Sequence, residues 1–386
     1  MKPKKTLKNN QIEKIIFWDP CLSPHKAIFF ESFASLNPNL EIVCCADQTI
    51  PDSRKKMGWT VSEPIKYKNI ISPDKKTITS LITESPSTTL HVFSGIRWIP
   101  TIIIALEIVK NIRAPYIIMS EPRVIDGFTG KLRLIQSWLT ERYHRQNAAA
   151  ILAIGRNGPP WFIASGYSKS RVLPFAYFVP PPLATPYKQC NTDKTRVGYL
   201  GRLIKMKGVL DVVNSVSGMN DKIALDFAGN GPEEDVLKSM CISAGIEHTF
   251  RGVIPITETG NFFSNIDILI LASTSKDDGW GVVISEALMA GVTVIATPMV
   301  GASILLDNSL FGRCVPAHNP EAIKSAIYDL IKSDEFTPKK REARAYLANK
   351  ILSAHAGAVY FMKIIDWLEG RSERPQDFYS LTEYIN

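Results

Sequence analysis

The sequence predicts an α/β protein with two domains, each built on a parallel sheet that helices cover on both faces. Short apolar segments, typical of buried strands, alternate with helical segments along nearly the whole chain. A proline-rich stretch, residues 178–186, interrupts this alternation near the middle and predicts a linker. The length of 386 residues also exceeds the ~250–300 residues at which a single core stops growing, so two cores are expected.

The first half of the chain predicts one Rossmann-like domain, over residues 1–178. Its predicted strands are Ile12–Trp18, Leu40–Ala46, Thr89–Phe93, Pro115–Met119 and Ala149–Ile154. Its clearest predicted helices are His25–Leu36 and Pro100–Asn111. An amphipathic segment at residues 359–368 predicts a helix that packs as core, and we expect a C-terminal helix at about residues 355–386 to pack back on this first domain.

The second half repeats the rhythm and predicts a linker at residues 179–194, followed by a second Rossmann-like domain at residues 195–354. Its predicted strands are Arg196–Leu200, Ile223–Ala228, Phe250–Val253, Ile266–Ala272 and Val292–Ala296. Its predicted helices are Gly208–Ser217, Glu233–Ala244, Ile256–Ser264 and Val283–Ala290. We expect the strand ends of the two domains to face each other across a deep cleft, where open α/β sheets bind ligands.

Composition and charge narrow the function classes. With 45% hydrophobic and 21% charged residues, the chain is ordinary globular material. No apolar run reaches the ~18 residues of a membrane span, and no segment has the layout of a signal peptide. Six cysteines lack metal-binding spacing, which predicts a reduced cytoplasmic protein. The formal charge of +8 includes a basic arm at residues 1–8, which either contacts anionic lipid or only aids solubility, and no nucleic-acid motif accompanies it.

Two carboxylates, Asp278 and Glu286, lie eight positions apart directly after an apolar run, with Gly279 and Gly281 between them. A predicted strand precedes this turn and a short helix, closed by Gly291, follows it. Carboxylates at the carboxyl end of a parallel strand suit a polyhydroxylated ligand, because they accept charge-assisted hydrogen bonds from its hydroxyl groups. The alternative is a solvated loop whose acids favour the start of the helix.

A glycine turn with two cations follows the first strand of the second domain. Gly201 lets the backbone approach a ligand closely, while Arg202 and Lys207 can neutralise a diphosphate. Gly229 and Gly231 follow the next strand, and the turn at 297–303 lies on the same rim, where its amides can also reach a phosphate. A solvated basic turn is the competing interpretation of Arg202 and Lys207.

Four short motifs occur in order in the second half. They are Gly201-Arg202-Leu203-x-x-x-Lys207-Gly208, Gly229-x-Gly231-Pro232, Arg251-Gly252 and Asp278-x7-Glu286-Ala287-Leu288-x-x-Gly291. As a set, over residues 196–326, they resemble the donor-binding domain of the retaining family-4 glycosyltransferases. These enzymes have the GT-B fold, in which two Rossmann-like α/β domains with parallel sheets face a central cleft. The chain departs from the family at two positions, with Asp278 in place of the usual glutamate and Trp280 where phenylalanine is common.

The resemblance implies a role for each matching residue. Arg202 and Lys207 would hold the nucleotide diphosphate, Glu286 would bind the ribose, and Asp278 would contact the transferred sugar. Without a DxD-type metal motif we expect no essential metal, because the side chains of Arg202 and Lys207 supply the positive charge that a metal ion would provide. We expect no cofactor beyond the nucleotide-sugar substrate. The expected donor-binding set is Gly201, Arg202, Lys207, Gly229, Gly231, Asp278, Gly279, Trp280, Gly281, Val282 and Glu286.

The first domain offers candidate acceptor-side residues at predicted strand ends: Asp19, His25, Ser94 and Glu121. Glu121 is the preferred polar residue near the reacting carbon, and completes the catalytic set with Arg202, Lys207 and Asp278. Each has a plainer alternative: a structural or solvated role for His25, and an ion pair with Arg123 or Arg97 for Glu121.

Three segments of the first half resemble the bacterial polysaccharide-assembly members of the same family, namely Ser120-Glu121-Pro122, Ile154-Gly155 and Pro174-Phe175-x-Tyr177-Phe178. The resemblance implies retaining transfer of a hexosyl or deoxyhexosyl group to a glycan or lipid-linked acceptor in surface polysaccharide or lipopolysaccharide synthesis. A basic amphipathic helix at 131–139 either lies against anionic lipid or packs on the domain, and the former predicts peripheral binding to the inner face of the cytoplasmic membrane. The alternatives are a GT-B nucleotide-sugar epimerase and an inactive donor-binding subunit. A dehydrogenase is disfavoured, because no G-x-G-x-x-G follows the first strand of either half.

Overall fold

The computed structural model describes residues 11–56, 58–183, 187 and 194–380, which form two compact units. Unit 1 contains the described residues up to Phe178 together with those from Ala354 onward. Unit 2 contains the described residues of Val179–Ser353. The basic arm at residues 1–8, Cys190 and much of the predicted linker lie outside the described residues.

Unit 1 is built on a seven-stranded, fully parallel sheet of order β3-β2-β1-β4-β5-β6-β7. Its strands are β1 Lys14–Asp19, β2 Glu41–Ala46, β3 Lys68–Ile71, β4 Thr89–Ser94, β5 Tyr116–Ser120, β6 Ile151–Ile154 and β7 Val172–Phe175. The five predicted strands are confirmed, whereas the edge strands β3 and β7 were not predicted from the sequence. The strand β3 is only partly buried and so lacks an apolar signature, and Pro174 lies inside β7, where an edge position tolerates it.

Unit 2 is built on a six-stranded, fully parallel sheet of order β10-β9-β8-β11-β12-β13. Its strands are β8 Thr195–Leu200, β9 Ile223–Ala228, β10 Glu247–Phe250, β11 Ile268–Leu271, β12 Thr293–Ala296 and β13 Gly312–Cys314. The prediction of a strand at Phe250–Val253 is wrong in position, since β10 begins and ends three residues earlier. The partly exposed edge strand β10 has no apolar run that would mark it in the sequence. The two predicted Rossmann-like parallel sheets are confirmed.

Helices occupy most of the connections between strands, and the last three helices follow β13. They are α1 Pro24–Leu36, α2 Asp52–Lys55, α3 Lys75–Thr83, α4 Pro100–Ile112, α5 Gly127–Thr140, α6 Arg142–Asn147, α7 Gly158–Ala164, α8 Val209–Val216, α9 Glu234–Ser243, α10 Thr259–Ser264, α11 Val282–Met289, α12 Pro320–Lys332, α13 Pro338–Leu352 and α14 Ala354–Leu368. Short 3-10 turns add Lys169–Arg171, Lys205–Lys207, Ile256–Glu258, Lys276–Asp278 and Gly301–Asp307. Across the described part of the chain, every helix falls short of the length and apolar character that crossing a bilayer requires.

The last helix of the chain, α14, packs in unit 1, as its amphipathic pattern predicts. Phe361 is fully buried, and its ring centroid lies 5.1 Å from that of Phe33 on α1 and 5.8 Å from that of Phe17 on β1. Gly357 allows the close approach, since a Cβ there would lie 2.2 Å from the ring of Phe178. The C-terminal segment thus completes the aromatic core on one face of the unit-1 sheet.

The strand orders place one switch point in each sheet, where consecutive crossovers depart in opposite directions. It lies between β1 and β4 in unit 1 and between β8 and β11 in unit 2. Loops that leave these strands at their carboxyl ends border a crevice, which is where open parallel sheets bind ligands. The loops after these four strands therefore define the candidate sites.

Candidate functional site

The glycine loops of unit 2 touch each other backbone to backbone. A Cβ on Gly229 would lie 1.9 Å from the Gly201 carbonyl oxygen, and one on Gly231 would lie 2.2 Å from the Leu203 carbonyl oxygen. The Gly201 amide donates to the Ala228 carbonyl at 2.9 Å. Because no side chain fits between these loops, glycine is required at positions 229 and 231.

The loop after β8 is also locked onto the end of β11. Gly208 adopts φ +66°, and a Cβ there would lie 1.9 Å from the Ala272 carbonyl oxygen. The 3-10 turn Lys205–Lys207 ends at this glycine, so Lys207 projects from a backbone with little freedom. The packing brings the two switch-point loops of unit 2 into contact.

That contact joins two of the predicted site residues. The Lys207 ammonium forms an ion pair with Oδ1 of Asp278, and the Ser273 hydroxyl donates to the other carboxylate oxygen of Asp278. The Asp278 side chain is 3% exposed and that of Lys207 is 15% exposed. The aspartate is therefore enclosed and doubly partnered, while the lysine keeps a surface from which its remaining protons can reach a ligand.

Arg202, an exposed residue, lies on the same loop as Lys207. The Tyr199 hydroxyl donates to the Arg202 carbonyl at 2.8 Å and holds the backbone there. Burial raises the pKa of this phenol, the charge of Asp278 raises it further, and the charge of Arg202 lowers it. The charges of Asp278 and Arg202 therefore both lie close enough to the Tyr199 phenol to shift its pKa.

Glu286 lies on α11, just beyond the turn that carries Gly279 and Gly281. It keeps part of its surface accessible, yet burial raises the pKa of its carboxyl to about 7. The turn itself is held by the Gly301 amide, which donates to the Gly279 carbonyl at 2.7 Å. A Cβ on Gly281 would lie 2.3 Å from Val300, so the 297–303 turn packs tightly against it, and Val282 begins the helix. A carboxylate that is costly to ionise is stabilised by any ligand hydroxyl that donates to it.

Trp280 was expected among the donor contacts, and the structure places its side chain elsewhere. The indole is 1% exposed and its N–H donates to the Ser285 hydroxyl at 2.9 Å. The ring therefore fills the interior of unit 2, and only the main chain of Trp280 borders the turn. The motif residue Arg251 is likewise structural, forming a two-point ion pair with Asp226 at 2.6 and 2.5 Å.

Unit 1 contains a comparable cluster at its own switch point. Asp19, at the end of β1, is 1% exposed and lies 2.5 Å from the Lys26 ammonium. The Ser94 hydroxyl, at the end of β4, donates to the same carboxylate and accepts from Lys26 at 2.7 Å. The structure thus joins Asp19 and Ser94, as strand ends predict, but it encloses the Asp19 carboxylate rather than leaving it open.

The other two acceptor-side candidates lie beside aromatic groups of unit 1. Glu121 accepts a hydrogen bond from Tyr177, and burial together with the Glu121 charge raises the pKa of that phenol well above its usual range. His25 meets Trp59 edge-on at 5.3 Å and borders a small cavity with Tyr177. Burial lowers the pKa of His25 to about 4, so the imidazole is uncharged at neutral pH. Arg97, a suggested partner of Glu121, pairs with Glu141 at 2.7 Å.

Sequence reasoning missed three residues that build these sites. Ser273 lies two residues after β11, Lys26 lies on α1 seven positions after Asp19, and Tyr177 lies two residues after β7. Position after a predicted strand is the signal that could have found the first two. Tyr177 gave no such signal, because the edge strand β7 was itself not predicted.

Residues 187–350 match the family model described as Glycosyl transferases group 1. A Bacillus subtilis protein, TuaC, provisionally named a teichuronic acid biosynthesis glycosyltransferase, is 29% identical over 121 residues, which are 31% of this chain and 28% of TuaC. The chain spans about a third of the length of the curated relatives it matches.

Solved structures of other proteins superpose on nearly the whole chain. The Anabaena protein Alr3699/HepE, in complex with UDP, superposes with a TM-score of 0.68 at 13% identity, covering 92% of this chain and 99% of that one. The lipopolysaccharide outer core galactosyltransferase WaaB superposes with a TM-score of 0.65 at 15% identity, covering 91% and 99%. At these identities the likeness concerns the fold, which is GT-B. Residues 187–350 are therefore similar to the glycosyl transferases group 1 model, in a chain of the GT-B fold.

Proposed function

We propose that this chain is a retaining glycosyltransferase of family 4 that transfers a hexosyl or deoxyhexosyl group from a nucleotide-diphosphate donor. The observation that carries the proposal is the Lys207–Asp278 ion pair at the unit-2 switch point, with Lys207 partly accessible. Arg202 on the same loop and Glu286 beyond the glycine turn supply the other charges that such a donor needs. Cations for phosphate and carboxylates for hydroxyls are matched to the two ends of a nucleotide sugar.

In this proposal Lys207 and Arg202 neutralise the diphosphate as it departs, a term worth a few kcal/mol per donor. Glu286 accepts hydrogen bonds from the ribose, and Asp278 contacts the sugar. The Gly201, Gly229 and Gly231 loops and the Gly279–Val282 turn bring backbone amides to the ligand. Because the two cations supply the positive charge, we propose that the reaction needs no divalent metal.

The step itself exchanges one bond at the anomeric carbon. The bond from this carbon to the phosphate oxygen breaks, and the acceptor hydroxyl forms the new bond on the same face. The proton of the acceptor moves to the departing phosphate, so atoms and charge balance without a second carboxylate nucleophile. We place Glu121 near the reacting carbon and assign acceptor recognition to Asp19, His25 and Ser94 of unit 1.

The acceptor class follows from chemistry and from similarity. The TuaC name supports a glycan or lipid-linked acceptor of surface polysaccharide synthesis, and we extend this to lipopolysaccharide-type acceptors. We propose that the protein is cytoplasmic and binds the inner face of the cytoplasmic membrane peripherally. The exposed apolar side chains of α5 support this location.

The test is a transfer assay on the purified chain with UDP-glucose, GDP-mannose and related donors, each with and without a glycan acceptor and with and without a chelator. We expect an acceptor-dependent product whose anomeric configuration, read by NMR, matches the donor. A sugar nucleotide epimerised without acceptor would replace this function with an epimerase. Donor binding without any product would indicate an inactive donor-binding subunit, and loss of activity on chelation would contradict the metal-free reaction.

A further inference from the structure

Helix α5 presents its apolar side chains away from unit 1. Phe128, Leu132, Ile135 and Leu139 lie at positions i, i+4, i+7 and i+11, which is one stripe along the helix. Their exposed fractions are 76%, 49%, 55% and 76%. A surface helix normally turns such a stripe toward the core, so α5 is inverted relative to the usual arrangement.

The opposite side of α5 is the side that packs. Gly130 and Ser137 are the buried residues of this helix, and Leu134 packs partly against the core of unit 1. A Cβ on Gly130 would lie 2.0 Å from the Ile125 carbonyl oxygen, so the helix approaches its own N-terminal loop closely. The exposed stripe is therefore fixed by packing on small residues and is not a loosely placed helix.

A second exposed aromatic residue extends this surface. Trp98 is 80% exposed and adopts φ +71°, a left-handed conformation that is strained for a bulky residue. Its neighbour Arg97 donates to the Thr140 hydroxyl at 2.8 Å, which places residue 98 beside the C-terminal end of α5. Trp138 on α5 is itself 53% exposed. Tryptophan and phenylalanine side chains at such positions are typical of the boundary between water and lipid.

The charged residues within α5 have one sign, whereas the exposed Asp126 precedes the helix as its N-cap residue. The helix contains Lys131 and Arg133 but no aspartate or glutamate, and Glu141 beyond its end is buried against Arg97. The Arg145 guanidinium lies 4.9 Å from the centre of the Trp138 ring, adding a further cation at the edge. The surface is thus apolar in its centre, and Lys131, Arg133 and Arg145 place three cations on or beside the helix against the one carboxylate of Asp126.

We propose that this surface, the α5 face, binds an anionic lipid bilayer, with Phe128, Leu132, Ile135 and Leu139 entering the boundary between headgroups and acyl chains. A bilayer explains both features, because lipid covers the apolar stripe and acidic headgroups pair with the cations. A second copy of the chain fits less well, since a two-fold contact would bring the same cations together. The inference deepens the proposed function, and rests on it for the acceptor that the membrane would carry.

The test is sedimentation of the full chain with vesicles of phosphatidylcholine, with or without phosphatidylglycerol. We expect binding only to the anionic vesicles and weakening by salt. The variants are the double substitution L132S/I135S and the single substitution Lys131→Glu, which should each weaken binding by about tenfold or more. Matched controls are Ile242→Ser on α9 and Lys76→Glu on α3, both at exposed positions, which should bind as the wild type does.

Equal binding to neutral vesicles, or equal binding by the α5-face variants, would overturn the proposal. A dimer in sedimentation velocity that L132S/I135S dissolves would also overturn it, in favour of a second copy. Thermal melts verify that each variant is folded. Transfer to a water-soluble acceptor should be unchanged in these variants, so failure of membrane binding and failure of the glycosyltransferase function are separate results.

Discussion

Both units hold an enclosed aspartate, a lysine and a serine at the switch point of their sheets, but they draw these residues from opposite strands. In unit 1 the aspartate ends β1, the lysine follows it, and the serine ends β4. In unit 2 the lysine follows β8, whereas the serine and aspartate follow β11. The exposed fractions of the side chains alone are nearly equal, with 17% for Lys26 and 2% for Asp19 against 15% for Lys207 and 3% for Asp278.

The surroundings of the two clusters differ. Unit 2 presses its loops together through glycines, so that a Cβ at Gly208 or Gly229 would lie 1.9 Å from a carbonyl oxygen. In unit 1 a Cβ on Gly95, in the loop after β4, would meet nothing within 4 Å. The same three residue types therefore stand among closely packed backbones in unit 2 and beside an open loop in unit 1.

The largest expected difference is in stability. Gly208→Ala should lower the free energy of unfolding by about 4 kcal/mol or more, because the new methyl group meets the Ala272 carbonyl at a positive φ. Gly95→Ala should cost only about 1–2 kcal/mol, because its positive φ is strained but the space is open. Urea denaturation of both variants measures this. Equal losses would show that the unit-2 rim is no tighter than the loop of unit 1.

The next effect is on catalysis. Lys207→Ala and Arg202→Ala should each reduce the transfer rate by about 10²–10³-fold, because each removes a cation that stabilises the departing diphosphate. Loss of Lys207 leaves the enclosed Asp278 carboxylate without its ion-pair partner and could destabilise the fold. Arg202 is exposed, so Arg202→Ala should remain folded and tests the same role. Lys205→Ala, two residues before Lys207 and exposed, is the control. Steady-state kinetics near the wild-type values in Arg202→Ala and Lys207→Ala would remove the diphosphate role.

Glu286 should give donor affinity a pH dependence. Burial raises its pKa to about 7, so the free protein holds a proton there that its unfolded chain would have lost, and this stability contribution disappears as the pH rises through about 7. Ribose hydroxyls favour the ionised carboxylate, so affinity for the donor should fall by up to about tenfold per pH unit below about pH 7. Calorimetric titration of UDP-glucose or GDP-mannose, whichever binds, measures this. Glu286→Gln should flatten the profile, and an unchanged profile would exclude Glu286 as its source.

The smallest expected effect separates binding from turnover at Asp278. Asp278→Asn removes the charge that occupies Lys207, so the affinity for the free nucleoside diphosphate should rise by about three- to tenfold. Transfer should slow, because the sugar loses its contact. Asp277→Asn, at the exposed neighbouring position, is the matched control. Weaker binding in Asp278→Asn would mean that the ion pair presents Lys207 to the ligand and does not compete with it.

Apolar runs located the central strands, because strands buried on both faces have no other composition available to them. The edge strands β3, β7 and β13 escaped this reasoning, since they are short and one of them contains Pro174. The residue types of the unit-2 site could likewise be predicted from glycines and charges at strand ends. The ion pair between Lys207 and Asp278 could not be predicted, because the two residues are 71 positions apart and their contact depends on the register of β8 and β11. Burial of the Trp280 indole could not be predicted either, because the hydrogen bond from its N–H to Ser285 becomes known only from the structure.

The central claim is that the switch point of unit 2, and not that of unit 1, binds the diphosphate of the donor. Titration calorimetry with UDP and with GDP on Lys207→Met and Lys26→Met tests this most directly, since both variants keep the apolar stem and leave an aspartate without its cation. For whichever nucleotide binds the wild type more tightly, we expect Lys207→Met to lose affinity by about tenfold or more and Lys26→Met to keep it. Equal affinities in the two variants, or a loss confined to Lys26→Met, would contradict the account.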